Sequence, residues 1–333
     1  MSDTRPGLNS HRLVTLMRQA IQGCNLQLQN MTVLTEAATG AYAVTPVLAA
    51  MAGADKVFAI ARDSRYGSVE QVKAEVQQIA EIAGVRDRIE FLTNKSKDVV
   101  AQADIITNSG HVRPINAEMI AWMKPNAVIG LMYEAWEFRP EDVDLIACRQ
   151  QNINVVGVNE RHLSVDVFSF LGIMAVKLLL DAGIAVYKSQ ILLLCDNPFR
   201  SFIERGLVNA GASVDTVDSL AEAPTDKTYD AILVALQPRF EPLLSTTDAT
   251  AIAKYWPGAL VAQYWGDIDR SAFFSHNIPV CPEVEPKPGH MGILPSAVGP
   301  EPIIRLQAGG LKAAEVIWRQ SSNDAEMKFV QLL

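Results

Sequence analysis

The sequence predicts an α/β protein made of two doubly wound halves, each a parallel sheet with helices on both faces. Three observations predict it. The 333 residues exceed one ordinary domain and suit two of roughly 150. Short β-branched runs alternate along the chain with helical stretches of about ten residues, the pattern of parallel strands joined by crossover helices. The second half also repeats motifs of the first.

Taking the chain in order, residues 10–23 carry apolar side chains at helical spacing (Leu13, Leu16, Met17, Ile21) and end at Gly23, which predicts an amphipathic helix. A strand follows at 31–34, a small polar loop at 35–42, an Ala-rich helix at 43–52 and a strand at 56–61. Helix 69–83, strand 89–92, helix 96–102 and strand 104–107 continue the alternation. Helix 116–123, strand 127–132, helix 141–150 and strand 154–158 complete the first sheet. A second round has strands at 190–194, 213–217, 231–235, 259–263 and 278–281, with a helix at 199–209. A Pro/Gly-rich loop (282–302) and a helix (302–319) close it. The domain division expected is an N-terminal helix (1–30) packing on the domains, a cofactor domain (31–162), a linker helix (163–187), a second domain of the same kind (188–300) and a C-terminal helix (301–333).

The internal repeat is carried by named motifs. Ala103-Asp104-Ile105-Ile106-Thr107 has a counterpart in Tyr229-Asp230-Ala231-Ile232-Leu233, and Lys124-Pro125-Asn126-Ala127-Val128 in Trp256-Pro257-Gly258-Ala259-Leu260. The segment from Asp142 to Val156 matches that from Ile268 to Val280, each a short helix leading to a strand.

Composition narrows the function. Hydrophobic residues at 49% and charged residues at 20% describe a packed globular protein, neither disordered nor fibrous. The net charge of −8 comes without a Lys/Arg run that would neutralise a row of phosphates, so no nucleic-acid partner is expected. Cys24, Cys148, Cys195 and Cys281 form no Cys-x-x-Cys pair, which argues for buried free thiols, no disulfide framework and no metal site. The start is polar and no run approaches the roughly 18 apolar residues of a membrane helix. The expectation is a cytoplasmic protein with no membrane partner, a small-molecule substrate and, as a base rate, a homodimer. The apolar stretch 165–184 carries Asp166, Lys177 and Asp181, which suits a buried inter-domain helix.

In an open parallel sheet, ligands bind beyond the carboxyl ends of the strands where the strand order reverses. The loop after the first strand is Thr35-Glu36-Ala37-Ala38-Thr39-Gly40-Ala41-Tyr42, and it opens a helix whose free N–H groups favour a phosphate or carboxylate. Thr35, Glu36, Ala38, Thr39, Gly40, Ala41 and Tyr42 are therefore cofactor-binding candidates. Only Gly40 of a Gly-x-Gly-x-x-Gly loop is present, and a plain tight turn is the alternative. After the second strand, Arg62-Asp63-Ser64-Arg65 offers an acid for the ribose hydroxyls of NAD and arginines for the 2′-phosphate of NADP, or an ordinary surface ion pair. After the fourth strand, Asn108, Ser109 and Gly110 leave room for a cofactor ribose.

Four residues are candidates for chemistry. His111 would exchange a proton near neutral pH, Arg113 would clamp a carboxylate, and Glu134, beside aromatics at a strand end, would orient the cofactor or the acid/base. His290, between glycines in the long loop, is the second acid/base candidate. For His111 the alternative is a surface histidine; for Glu134 it is a helix cap or a pair with Arg139. No Gly-x-Ser-x-Gly elbow, Walker loop or His-Glu-x-x-His occurs, so serine hydrolases, P-loop NTPases and zinc peptidases are excluded.

Residues 31–160 resemble the NAD-binding domain of the formate, D-2-hydroxyacid dehydrogenase and adenosylhomocysteinase group. The resemblance rests on Ala103-Asp104-Ile105-Ile106, on Pro114-Ile115-Asn116 with Met119 and Ile120, and on Met123-Lys124-Pro125-Asn126-Ala127-Val128-Ile129. It implies two Rossmann-like domains joined by linker helices, a dinucleotide in the first and hydride transfer to a small polar metabolite in the cleft. Those dehydrogenases carry Arg-Gly where this chain has Tyr133-Glu134, so their catalytic arginine has no counterpart there. A second likeness, in Gly53-Ala54-Asp55-Lys56-Val57 and Ala83-Gly84-Val85-Arg86-Asp87, is to S-adenosylmethionine methyltransferases, where Asp63 would hold the ribose. The expected function is an NAD- or NADP-dependent oxidoreductase, with an S-adenosylmethionine-dependent methyltransferase and a non-catalytic ligand-sensing or scaffold protein as alternatives.

Overall fold

Helix α1 (Ser10–Cys24) begins at Asn9, whose side chain accepts the N–H groups of His11 and Arg12, and ends at Asn25 in the left-handed region (φ 46°). Asparagine tolerates that conformation and so stops the helix. The computed structural model describes residues 5–239 and 241–333; the first four residues of the expected 1–30 segment lie outside the described residues. Two compact units divide the chain: one runs up to Val167 and takes in Gly299–Leu333, the other is Phe168–Val298.

After α1 the alternation unfolds as the hydrophobic pattern dictates. β1 (Thr32–Glu36), α2 (Val44–Met51), β2 (Lys56–Ile60), α3 (Val69–Ala83), β3 (Ile89–Leu92) and α4 (Lys97–Val100) come first. β4 (Ile105–Thr107), α5 (Ala117–Trp122), β5 (Val128–Gly130), α6 (Leu145–Gln150) and β6 (Asn154–Val158) follow. Helix α3 shows why the boundaries are sharp: Ser68 and Gln71 form a reciprocal capping box at its start, and Gly84 (φ 72°) ends it.

The second unit has α7 (Leu171–Asp181), β7 (Gln190–Leu194), α8 (Arg200–Asn209), β8 (Ser213–Val217) and β9 (Ala231–Ala235), then α9 (Thr246–Tyr255), β10 (Leu260–Trp265), α10 (Arg270–Ser275) and β11 (Val280–Cys281). The helix expected over 163–187 is the shorter α7, and it packs against α8 inside this unit. Helix α9 was not anticipated from the sequence. Its start is set by another capping box, between Ser245 and Asp248, and its Thr-rich polar face hides the apolar spacing.

The chain then returns to the first unit as α11 (Glu301–Trp318), α12 (Asp324–Met327) and β12 (Val330–Leu332). The C-terminal helix is thus part of the first unit's core. A Cβ on Gly309 would collide with Val158 and Val165, and one on Gly310 with Met132, so the glycine pair lets α11 lie directly on the sheet. Strand β12, also not anticipated, adds antiparallel to β6.

The first sheet has the order β12-β6-β5-β4-β1-β2-β3 and the second β11-β10-β9-β7-β8. Except for β12, every pairing is parallel. Interior strands such as β4, β5 and β9 are buried throughout, as strands covered on both faces must be. Each sheet reverses its strand order once, between β1 and β4 and between β7 and β9, and this is the place where parallel sheets of this kind form a ligand crevice beyond the carboxyl ends. Among the described residues no helix is long and apolar enough to cross a membrane.

Candidate functional site

The site of the first unit is built on the crevice between β1 and β4. The turn leaving β1 is pinned to β2 by the Ala37 N–H, which donates to the Ile60 carbonyl at 2.8 Å. Ala37, Gly40 and Ala41 are buried and Ala38, Thr39 and Tyr42 half-buried. Gly40 sits at φ 64° and begins a short 3-10 turn, Gly40–Ala43, that runs straight into α2; neither is capped by the side chain of its own N-cap residue, Thr39 or Ala43. This is the arrangement expected of an anion-binding helix start. One of its amides is already engaged, since the Gly40 N–H donates to Glu75 Oε1 of α3 at 2.8 Å.

Across the floor of the crevice runs a row of hydroxyls. Thr35 Oγ1 lies 2.8 Å from Thr107 Oγ1 and 3.4 Å from Ser109 Oγ, and the last two are 2.6 Å apart. Next to them the buried Asn108 accepts the Met132 N–H through Oδ1 at 3.0 Å, while its Nδ2 has no hydrogen-bond partner. A buried donor without a partner is costly in a folded protein and points to a missing acceptor.

Glu36 closes the crevice. Its Oε2 accepts the His111 N–H at 2.8 Å, so the last residue of β1 is tied to the loop after β4. Gly110 (φ 27°) makes this possible, because a Cβ there would overlap the Glu36 carboxylate. Burial pushes the Glu36 carboxyl up from the ordinary range, against the pull of the His111 N–H and of the charges of His111 and Arg113. Lys95 fixes the same loop by donating to the Val112 and Pro114 carbonyls, both at 2.9 Å. Burial and the neighbouring Arg62 lower its pKa.

The residues expected around the ribose sit at the rim. Arg62, Asp63, Ser64 and Arg65 are exposed after β2. Asp63 Oδ1 accepts the Val69 N–H at 2.8 Å at the start of α3, Arg62 Nε donates to the Thr93 carbonyl at 3.4 Å, and Arg65 lies over the Tyr66 ring. Ser64 exchanges backbone hydrogen bonds with Gly67.

Two expected site residues are engaged within the protein. Arg113 Nη1 is bound to Asp142 Oδ2 at 3.0 Å, which occupies one arm of the guanidinium expected to clamp a carboxylate. The same oxygen accepts the Tyr133 hydroxyl at 2.9 Å and lies 3.7 Å from Arg139 Nε. Burial first, and Asp142 second, push the Tyr133 phenol well above its usual value. Glu134 is likewise occupied, and the capping alternative describes it. It caps the 3-10 turn Ala135–Glu137 and accepts from Trp136 Nε1 at 2.5 Å, Gln331 Nε2 at 3.1 Å and the Glu160 N–H at 3.2 Å. Glu134 belongs to a trio of carboxylates with Glu137 and Glu160. Burial, with Glu137 and Glu134 nearby, holds the Glu160 carboxyl well above the carboxylate range. Glu137 is raised to about 7 by the low-dielectric surroundings of its carboxyl and by Glu134, although the residue keeps an exposed face.

His111 therefore lies with Thr35, Glu36, Thr107, Asn108 and Ser109 in one crevice. His290 belongs to the second unit. It is exposed, with Nδ1 3.0 Å from the Pro288 carbonyl, on a loop that Asp267 anchors by accepting the Gly289 N–H. The sequence reading missed Glu75, Lys95 and Asp142, whose roles depend on contacts far apart in the chain. It also missed Asp196, which spans the second unit's crevice by accepting the Gln237 N–H at 2.9 Å. Among the described residues no group of three or more His, Cys, Asp or Glu side chains is placed to hold a metal ion.

No protein-family model and no curated protein sequence matches the chain. Solved structures do. A dipicolinate synthase from Bacillus subtilis superposes with a TM-score of 0.57 at 13% identity, covering 89% of this chain and 100% of that one. Its counterpart from Bacillus halodurans, also a dipicolinate synthase, gives 0.53 at 11% identity, covering 85% and 96%. A transhydrogenase from Sinorhizobium meliloti gives 0.52 at 11% identity, covering 90% and 97%. At these identities the likeness is one of architecture, and together with the strand orders it makes this chain a protein of two Rossmann-like parallel-sheet regions.

Proposed function

We propose that the protein is an NAD(P)-dependent oxidoreductase acting on a small polar metabolite, with the dinucleotide held in the β1–β4 crevice. The observation that carries this reading is the buried, partnerless Asn108 Nδ2 at the switch point of a parallel sheet, where β1 leads into the start of α2. Enzyme names among the structural neighbours, transhydrogenase among them, support it.

In this reading the turn 37–42 would hold the diphosphate, Arg62, Asp63 and Arg65 the adenosine ribose, and Asn108, Ser109 and Gly110 the nicotinamide half. A bound nicotinamide supplies the hydride. The chain's own contribution is positional: the hydroxyl row orients polar groups, Asp142 and Lys95 keep the loop after β4 in place, and His111, half-buried on that loop, is the group to take or give the accompanying proton. Arg113 is a positioning residue through Asp142, and His290 is the proton-exchange candidate of the other unit.

The test is titration with NADH and NADPH by fluorescence, and with NAD, NADP and S-adenosylmethionine by thermal shift, between about pH 5 and pH 8. Saturable binding of a nicotinamide dinucleotide is expected, stabilising the fold by about 2.7 kcal/mol at 100 times the dissociation constant. No response to any dinucleotide across that range overturns the proposal. A response to S-adenosylmethionine alone moves the protein to the methyltransferase reading.

A further inference from the structure

We infer that Glu36 is the charge gate of the β1–β4 crevice: it holds a carboxylate across the gap from β1 to the loop after β4, next in the chain to the turn proposed for a dinucleotide's phosphates, so the crevice admits them only with that carboxylate neutralised or turned away. The inference deepens the proposed function and rests on it for the identity of the ligand.

The geometry is specific. Glu36 does not point along the strand into water; it crosses from β1 to the loop after β4 and accepts the His111 N–H at 2.8 Å. The absence of a side chain at Gly110 is what makes room for it. A second carboxylate, Glu75 of α3, already takes the Gly40 N–H of the turn. Two acids thus satisfy amide donors that a diphosphate would otherwise compete for, and an anion arriving beside them meets like charge in a half-buried, weakly screened place.

The second unit repeats the device independently. After β7, Asp196 crosses the corresponding crevice to the Gln237 N–H beyond β9. A carboxylate spanning the switch point is therefore a feature of both sheets, not an accident of one loop.

Neutralisation is within reach in the first unit. Burial favours the protonated form of Glu36, while the His111 N–H and the charges of His111 and Arg113 oppose it. On the turn that follows Glu36, Glu75 of α3 adds a carboxylate at the Gly40 N–H. From α11, which packs on the 3-10 turn after β1, the group that bonds into α2 is uncharged: Gln307 Oε1 accepts the Thr45 hydroxyl. A protonated Glu36 loses its charge and becomes a donor to a phosphate oxygen.

The experiment compares the wild-type chain with Glu36→Gln and Glu36→Ala, using NAD, ADP-ribose and adenosine as probes by calorimetry at about pH 6 and pH 8. Circular dichroism confirms that each variant folds, and Glu36→Ala serves if the glutamine form does not. The expectation is at least about tenfold tighter binding of NAD and ADP-ribose in the variants, no change for adenosine, and wild-type affinity for the two diphosphates that rises on acidification while that of Glu36→Gln does so less. Equal dinucleotide affinity in wild type and variants overturns the gate and leaves the cofactor reading standing. Binding of no dinucleotide by any form overturns the cofactor reading and the gate with it.

Discussion

Asp104 and Asp230 make the same bond at the same place in two different sheets. Each accepts, through Oδ2, the N–H of the first residue of the strand beside it, Thr32 of β1 at 2.8 Å and Gln190 of β7 at 2.7 Å. Each also donates its own N–H to that residue's carbonyl, and offers its carbonyl to the next strand, to Val128 and to Leu260. The two positions differ only in surroundings. Asp104 is buried, paired with Lys124 at 2.7 Å and bonded by Trp318 Nε1 at 3.1 Å, whereas Asp230 is exposed.

That difference predicts unequal costs. Asp104→Ala strands a half-buried lysine, an indole N–H and a backbone N–H, and should cost about 3 kcal/mol; Asp230→Ala loses one exposed bond and should cost about 1 kcal/mol. Chemical denaturation of the two variants, followed through the transition of the unit concerned, measures both. Equal losses would mean that the shared backbone geometry, and not burial, sets the contribution.

The pairing of these aspartates was legible because the repeat is local: a strand preceded by Asp, then Pro-x-Ala, then a strand. The same holds where α6 and α10 end, each followed by an asparagine in the left-handed region, Asn152 (φ 54°) and Asn277 (φ 56°), and where Asp144 and Asp269 cap those helices. The chemistry of the crevice was legible only as a set of candidates. Glu36 was read as one more residue of a phosphate turn because its partner, His111, is 75 positions away, and nothing in either neighbourhood announces the bond. The partners of Arg113 and Glu134 escaped notice for the same reason, since Asp142 and Gln331 reach them across the fold. The return of α11 and β12 to the first sheet left no signal either, because a three-residue edge strand has too few residues to show a period.

The four thiols should be silent in the native state. All are buried, and burial pushes Cys24 up to about 12 and Cys148 and Cys281 to about 11, with Cys195 raised as well. The thiolate is the reactive form, so titration with Ellman's reagent near neutral pH is expected to modify none of them on the time scale of minutes, and all after unfolding in guanidinium. Fast modification of any one in the folded protein would contradict its burial.

Lys312 should be among the costliest single positions of the first unit. It is 1% exposed, and its ammonium donates to Glu315 at 3.2 Å, to Glu326 at 3.0 Å and to the Asn25 carbonyl at 3.1 Å, joining α11 to α12 and to the end of α1. Lys312→Met keeps the volume but leaves Glu315 buried beside only Arg319 and the Gln27 N–H, a loss of about 3–5 kcal/mol. Adding Glu315→Gln removes the uncompensated charge and should recover part of it, which a double-mutant cycle reads directly.

The acidic trio sets the sign of the pH dependence. Glu160 and Glu137 titrate above their unfolded values, so the fold binds more protons than the unfolded chain between about pH 4.5 and their folded pKa values. The stability they contribute is complete below that window and is lost as pH rises through it. Asp215, Asp269 and Glu326 are shifted the other way, so their contribution is lost on acidification, below the range in which Glu160 responds. Glu160→Gln, neutral at every pH, should therefore melt a few degrees above wild type at pH 8 and close to it at pH 5. Glu134→Gln should do the opposite and melt lower throughout. Glu134 accepts from an indole, an amide side chain and a backbone N–H, and an amide nitrogen placed there would face donors. A Glu160→Gln variant whose melting temperature tracks wild type at every pH would show that this carboxyl is already solvated in the folded state.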